Sequence, residues 1–453
     1  MDSAGQPPTS KQNWARRIVI VAGVITVSLI LFDVMLYDRI VAPVKGMDYV
    51  VVALAAAFLL IIAIRRKLAA KLSVAVLVSL VVLALAEGLI GILMAPHGRD
   101  FAWYVSPPNH KIHVQPTNLI GIASDGAFST NSQGLRGPEF SKDDDYRILC
   151  IGGSTTECLY LDDRAAWPAL LADGLNDEDE RVWVGNAGRA GLNSYDHIVL
   201  VKHLPEARQV DMWLVMVGIN DFSHMATGRS AIYKPRAWYR TFRYRRPTLW
   251  DSPTRPIHRN LYCWNVLENL RKRMKLAFKG EDWMVYQDAR AEWYDDYCKK
   301  RWHAPKTDTL PDLAPMLDEY EQNMMSILGH AKRFGIAVVV TTQPALYQQS
   351  MPEEFERITY GGGPLADGSF FSSSAMARGL EAFNERLRAF AKRENVPLVD
   401  LARLMPKTTE SFYDECHFNT NGADLVAQYV TPTIKKLVDQ KADTRGRQVV
   451  SGE

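Results

Sequence analysis

At 453 residues and a formal net charge of +2, the chain is long enough for two domains, or for one large domain plus a membrane region, and any electrostatic preference must be local. Five cysteines, Cys150, Cys158, Cys263, Cys298 and Cys416, form no Cys-x-x-Cys pair, which excludes a zinc ribbon and a dense disulfide framework. The odd count leaves at least one thiol free within the chain, and Cys263 with Cys298 is a bridge the sequence leaves open if the domain is exported.

Three apolar segments fill the first hundred residues: Ile18 to Phe32, continuing past Asp33 to Leu36; Tyr49 to Ile64; and Leu72 to Met94, with Glu87 as its one charge. Each approaches the roughly 20 residues that span a bilayer. A cleaved signal peptide fits the first segment poorly, since it is long, ends near Asp33 and lacks a small-residue cleavage site. Lys11, Arg16 and Arg17 precede the first span, and Arg65, Arg66, Lys67 and Lys71 join the second to the third without an acid. The connection between the first two mixes Arg39 and Lys45 with Asp38 and Asp48. The positive-inside rule therefore puts the N-terminus in the cytoplasm and everything after Met94 on the far side, with Trp103 and Tyr104 suited to the outer interface. Glu87 is costly at membrane depth unless paired, and marks a helix–helix contact or a partner protein.

Residues 97–145 read as a linker: from Pro107 the chain is polar and punctuated by Pro and Gly, and Thr130–Gly137 reads as a surface loop or short hairpin. Strands and helices then alternate. Strands are predicted at Arg147–Ile151, Arg181–Val184, Val210–Val217, Ile336–Thr342 and Pro397–Asp400, and helices at Trp167–Asn176, Asp312–Phe334, Ala375–Glu394 and Thr420–Gln440. This is the pattern of a five-stranded parallel sheet between two helical layers over residues 146–440, followed by a polar tail, 441–453. Ligands of such folds gather beyond the carboxyl ends of the strands.

The first strand ends in Ile148-Leu-Cys-Ile-Gly-Gly-Ser-Thr-Thr-Glu157. Two glycines allow a tight turn, Ser154 follows, and a helix opens towards Leu161. Read alone, this is either a nucleophile mount or an ordinary strand–helix turn with a capping serine. The other strand ends carry Asn186-Ala-Gly-Arg-Ala-Gly-Leu-Asn-Ser194, Gly218-Ile-Asn-Asp221 and Tyr413-Asp-Glu-Cys-His-Phe-Asn419. A serine that transfers acyl groups needs a base, a group that orients the base, and donors for the oxyanion. His417 suits the first, Asp414 the second, and Asn220 with Gly191 the third. Asp221 reads as a structural acceptor, and Cys158 and Cys416 as small packing residues. Asp414 and His417 have too few neighbouring ligands for a metal, and no cofactor motif is present.

In order, spacing and placement, these blocks from Ile148 to Asn419 resemble the SGNH (GDSL-type) hydrolase superfamily. The resemblance implies an α/β/α hydrolase domain, Ser154 as nucleophile, His417 as base and Asp414 as its orienting acid. It also implies an oxyanion hole made by Ser154, Gly191 and Asn220. Gly191 is preferred to Gly188 because it closes the run that Asn186 opens. Gly153 departs from the better-known Asp at that position, which weakens transfer of a substrate class; Gly-Gly-Ser-Thr forms resemble exported bacterial members.

Between the third and fourth strands lies an insertion, about 222–311, longer than a crossover requires. From Phe222 to Asn260 it carries nine Lys/Arg and one acid, interleaved with Tyr233, Trp238, Tyr239, Phe242, Tyr244 and Trp250. An amphipathic basic stretch, Leu261–Lys279, and an acidic one, Glu281–Asp296, follow. The insertion leaves the sheet beside Asn220, so Arg240, Arg243 and Arg245 are candidate contacts to an anionic glycan or lipid headgroup, with a solvated cap or partner-docking surface as the plainer reading. The expected function is a serine esterase anchored in the bacterial inner membrane by three helices, acting outside the cytoplasm on O-acyl groups of an envelope glycan or lipid. An O-acyltransferase using the same residues, and a non-catalytic scaffold subunit with a membrane partner, stay open. Nucleic acid is not an expected partner.

Overall fold

A computed structural model describes residues 104–141, 144–176, 181–227 and 290–450, the side chains of 442–450 excepted, together with Val74, Val78, Val81, Val82 and Leu85. Those five apolar residues are helical and exposed. The first two expected spans and the rest of the third lie outside the described residues. Among the described residues, no helix is long and apolar enough to cross a membrane.

A hairpin comes first, β1 (Lys111–Val114) against β2 (Gly126–Ser129). Strand β3 (Tyr146–Gly152) leads into the single turn α1 (Ser154–Glu157) and then α2 (Trp167–Leu175). Next are β4 (Val182–Asn186), α3 (Ser194–His203), β5 (Met212–Met216) and α4 (Ile219–Ala226). After the undescribed part of the insertion the chain resumes in α5 (Glu292–His303), β6 (Lys306–Thr307), α6 (Ala314–Phe334) and β7 (Ala337–Thr341). The remainder is α7 (Glu353–Glu356), β8 (Phe370–Phe371), α8 (Ser373–Glu394), β9 (Leu398–Val399), α9 (Leu401–Leu404) and α10 (Thr420–Val450).

Five strands pair in parallel in the order β4-β3-β5-β7-β9. Alternation along each strand divides the core in two. Leu149, Ile151, Trp213, Val215, Val338 and Val340 pack with residues of α3, α6 and α8. Ile148, Cys150, Met212, Leu214, Met216 and Val339 pack with α2 and α10. Both faces are covered, which is why these strands read as near-continuous apolar runs. The chain winds one way from β3 to β4 and the other way through β5, so the switch point of the sheet lies between β3 and β5, at whose carboxyl ends Ser154 and Asn220 sit.

Several boundaries differ from expectation. Helix α1 stops at Glu157 because Cys158 takes the left-handed conformation, so nothing helical runs on to Leu161. Helix α10 continues to Val450 through the stretch expected as a tail, and Lys441 anchors it by donating to Asp211 at 2.6 Å. Helix α3, absent from the sequence reading, starts with a reciprocal cap between Asn193 and Asp196 ahead of the apolar run Ile198–Val201. Tyr104, expected at a membrane interface, is 4% exposed and belongs to the core. The loop 130–137, expected to lie against the domain, buries Leu135 and Arg136, and Arg136 bridges to Asn186 at the end of β4. Cys298 is buried and free, as are Cys150, Cys158 and Cys416.

Candidate active site

The turn that carries Ser154 is held by sterics and by side chains. Neither Gly152 nor Gly153 needs glycine for its torsion angles; both are needed for space. A Cβ on Gly152 would stand 2.7 Å from the Met216 carbonyl oxygen, and one on Gly153 would stand 2.6 Å from Asn220 Nδ2. A one-turn helix leaves its carbonyls without intrahelical partners. Here Thr155 O accepts from Trp167 Nε1 at 3.1 Å, and Thr156 O from Asn186 Nδ2 at 2.7 Å. Arg136 donates to the carbonyls of Glu157 at 2.8 Å and Cys158 at 2.7 Å, and pairs with Asp163 at 2.8 Å. The loop after the hairpin, the start of α2 and the end of β4 thus converge on four residues.

Across the switch point, the loop before α10 delivers the imidazole. His417 Nε2 lies 2.7 Å from Ser154 Oγ, and His417 Nδ1 lies 2.7 Å from Asp414 Oδ2. The other Asp414 oxygen accepts the backbone N–H groups of Cys416 at 2.8 Å and His417 at 2.7 Å, which fixes carboxylate and ring in one turn. Tyr413 stacks on the imidazole, 5.5 Å between ring centres and 9° from parallel. Burial works against a charge on His417, but the adjacent Asp414 carboxylate outweighs it and raises the imidazole pKa well above its ordinary value.

Gly191 and Asn220 border the same cavity as Ser154. Gly191 has φ +78, and a Cβ there would meet nothing within 4 Å, so the loop it terminates presents bare backbone towards the site. Asn220 donates one amide hydrogen to Leu192 O at 2.8 Å, which holds the side chain over Gly153 and leaves its second amide hydrogen for a ligand. Asp221, one residue on, is buried and accepts from Ser194 N at 3.0 Å and from its hydroxyl, the structural part expected of it.

The five residues Ser154, Gly191, Asn220, Asp414 and His417 therefore meet in one cavity of about 340 Å³. Arg240, Arg243 and Arg245 lie outside the described residues. The cavity also has walls that the sequence reading missed. Glu157 is buried there, accepts from Ala190 N at 2.9 Å beside Gly191, and is pushed by burial up to about 7. Glu415, likewise buried, is pushed to about 7. Helix α5 contributes Trp293, Tyr294 and Tyr297 from the returning end of the insertion. Their spacing, a Trp with tyrosines one and four residues later, was the available signal that one helical face is aromatic.

Among the described residues, Asp414, Cys416 and His417 bring three potential metal ligand atoms within 4.8 Å of one another. Both nitrogens of His417 are already engaged, and burial pushes the Cys416 thiol up to about 12, far from the thiolate a metal takes. The donor set suits proton transfer to and from Ser154 better than coordination.

The sequence model of the GDSL-like lipase/acylhydrolase family matches residues 150–425, from β3 to the first turns of α10, and takes in every member of the site. The chain belongs to this family. It is a serine hydrolase acting on ester bonds. Solved structures similar to the acylhydrolase include an acetylxylan esterase from Geobacillus stearothermophilus, at 13% identity and TM-score 0.33 over 63% of this chain and 92% of that one. Another is an α/β hydrolase from the metagenome of Lake Arreo, Spain, at 14% identity and TM-score 0.34 over 64% and 94%. A third is an acetyl xylan esterase at 12% identity and TM-score 0.34 over 64% and 99%. No curated protein sequence matches the chain.

Proposed function

We propose that the protein is a membrane-anchored esterase that removes O-acyl groups from an envelope glycan or lipid through Ser154, His417 and Asp414. The observation that carries the chemistry is the continuous hydrogen-bonded chain from Asp414 through His417 to Ser154, with Asn220 and Gly191 around the same cavity. In this reading His417 Nε2 takes the Ser154 proton as Oγ attacks the acyl carbonyl. The oxyanion is met by the N–H groups of Ser154 and Gly191 and by the second amide hydrogen of Asn220. The C–O bond to the alcohol breaks as His417 passes its proton to the leaving oxygen, and the acyl group stays on Ser154. Water then attacks the acyl-enzyme, losing a proton to His417, and the acid is released with the serine restored. Asp414 holds the imidazole and favours its protonated form at both steps.

Placement outside the cytoplasm rests on the three apolar segments and on the basic residues Arg65, Arg66, Lys67 and Lys71 between the second and third. Purified full-length protein incubated with O-acetylated envelope polysaccharide, with and without an added acceptor sugar, tests the reading. Free acetate formed at the same rate in both arms supports hydrolysis. Acetate appearing only on the acceptor would make the protein a transferase, and neither product would leave the substrate class wrong.

A further inference from the structure

The cavity that holds the serine is also lined by aromatic rings that no step of the chemistry uses. Trp293 packs edge-to-face against Tyr294, Tyr297 and Tyr360, with ring centres 6.1, 5.6 and 5.3 Å away and planes within a few degrees of perpendicular. Trp293 Nε1 donates to the Tyr160 hydroxyl at 3.0 Å, and the Tyr294 hydroxyl donates to the Ile358 carbonyl at 2.6 Å, so the cluster is pinned to two other segments. Tyr297 is the outermost ring, 52% exposed although it borders the cavity. A half-exposed tyrosine on a fixed aromatic frame, within the same cavity as a reactive serine, is a surface that gains by being covered.

The remaining lining says what covers it. Among the described residues, no lysine or arginine borders the cavity; Glu157, Asp414 and Glu415 do, together with the hydroxyl of Ser223. Carboxyl groups, ionised or neutral, accept from sugar hydroxyls and offer an anion no counter-charge. A volume of about 340 Å³ is at the lower end for small-molecule sites and accommodates a short acyl group and one sugar ring. We infer that Trp293, Tyr297 and Tyr360 form a subsite for an uncharged sugar ring carrying the scissile ester, stacked on Tyr297 with its hydroxyls towards the carboxyls. The inference rests on the esterase reading, and narrows it from glycan or lipid to a neutral glycan.

The test compares wild type, Tyr297→Ala and Tyr297→Phe on two esters, acetylated methyl glucopyranoside and the ringless vinyl acetate. The quantity read is the ratio of the two kcat/KM values. The ratio is expected to fall by about threefold to tenfold in Tyr297→Ala, the size of one aromatic contact, and to return in Tyr297→Phe. An unchanged ratio while both esters are turned over overturns the subsite and leaves the esterase standing. Calorimetry with Ser154→Ala protein and acetylated methyl glucopyranoside separates the two ideas. Binding there that is weakened by Tyr297→Ala upholds the subsite even if wild type hydrolyses neither ester. Hydrolysis of phosphatidylcholine vesicles that falls in Tyr297→Ala, with no preference for the sugar ester, overturns the subsite in favour of a lipid.

Discussion

The Arg136 guanidinium donates to the carbonyl oxygen of Glu157 at 2.8 Å, and so closes from outside the one-turn helix that begins at Ser154. The same side chain reaches the Cys158 carbonyl and Asp163 and is 5% exposed. Removing it takes a donor from three carbonyls, those of Glu157, Cys158 and Leu161, and the cation from the Asp163 carboxylate. Arg136→Ala is expected to lower stability by about 3–5 kcal/mol, the usual cost of breaking a buried charged pair, read as a reduced midpoint in urea. A midpoint like that of wild type would show that the turn holds itself.

Gly153 makes room for the Asn220 amide. Gly153→Ala would put a methyl group 2.6 Å from Asn220 Nδ2 and 3.3 Å from Leu192 O, the atom that holds that amide. With backbone on one side, the amide is the part that yields. The expected result is a loss of up to about 10² in kcat, as for removal of an oxyanion donor, with an unchanged urea midpoint. Full activity in Gly153→Ala would take Asn220 out of the oxyanion hole.

The pH profile follows from His417. A base must be neutral to act, and Asp414 raises the pKa of this one well above 6.5 against the opposing effect of burial. The acid limb of kcat/KM is therefore expected above pH 6.5, with activity rising as pH rises through it. Asp414→Asn removes the raising influence and leaves burial, which lowers the pKa. Its limb should move to lower pH even as its maximal rate drops. A limb that stays in place would mean that another group titrates.

Much of this site was legible because its chemistry is local. Asp414 and His417 share one turn just ahead of the last helix, and Ser154 and Asn220 follow buried apolar strands almost at once. The partners that hold the blocks were not legible. Nothing about Arg136 in a Gly- and Ser-rich loop announces that it will satisfy carbonyls beyond Ser154, because that contact is made only once the hairpin lies on the domain. Trp293 and Tyr297 were passed over for a similar reason: a helix of mixed charge shows which face it buries only against Tyr160 and Tyr360. Helix α3 was a plain miss, since Asn193-Ser-Tyr-Asp196 ahead of Ile198–Val201 is a readable start signal.

Topology can be checked with a membrane-impermeant thiol reagent on intact cells. The described native cysteines are buried, so in a Cys263→Ser background a cysteine introduced at exposed Thr117 gives a clean signal. Thr117→Cys is expected to label at once, and Lys67→Cys only after permeabilisation. The opposite pattern would put the hydrolase domain in the cytoplasm and remove the envelope substrate with it.

Peptide mass spectrometry of the full-length protein after exposure to a fluorophosphonate identifies the nucleophile directly. A stoichiometric adduct is expected on Ser154, lost in Asp414→Asn and His417→Ala at short exposure because the serine is then no longer activated. An adduct on another residue at the wild-type rate, with Ser154 unmodified, would contradict it.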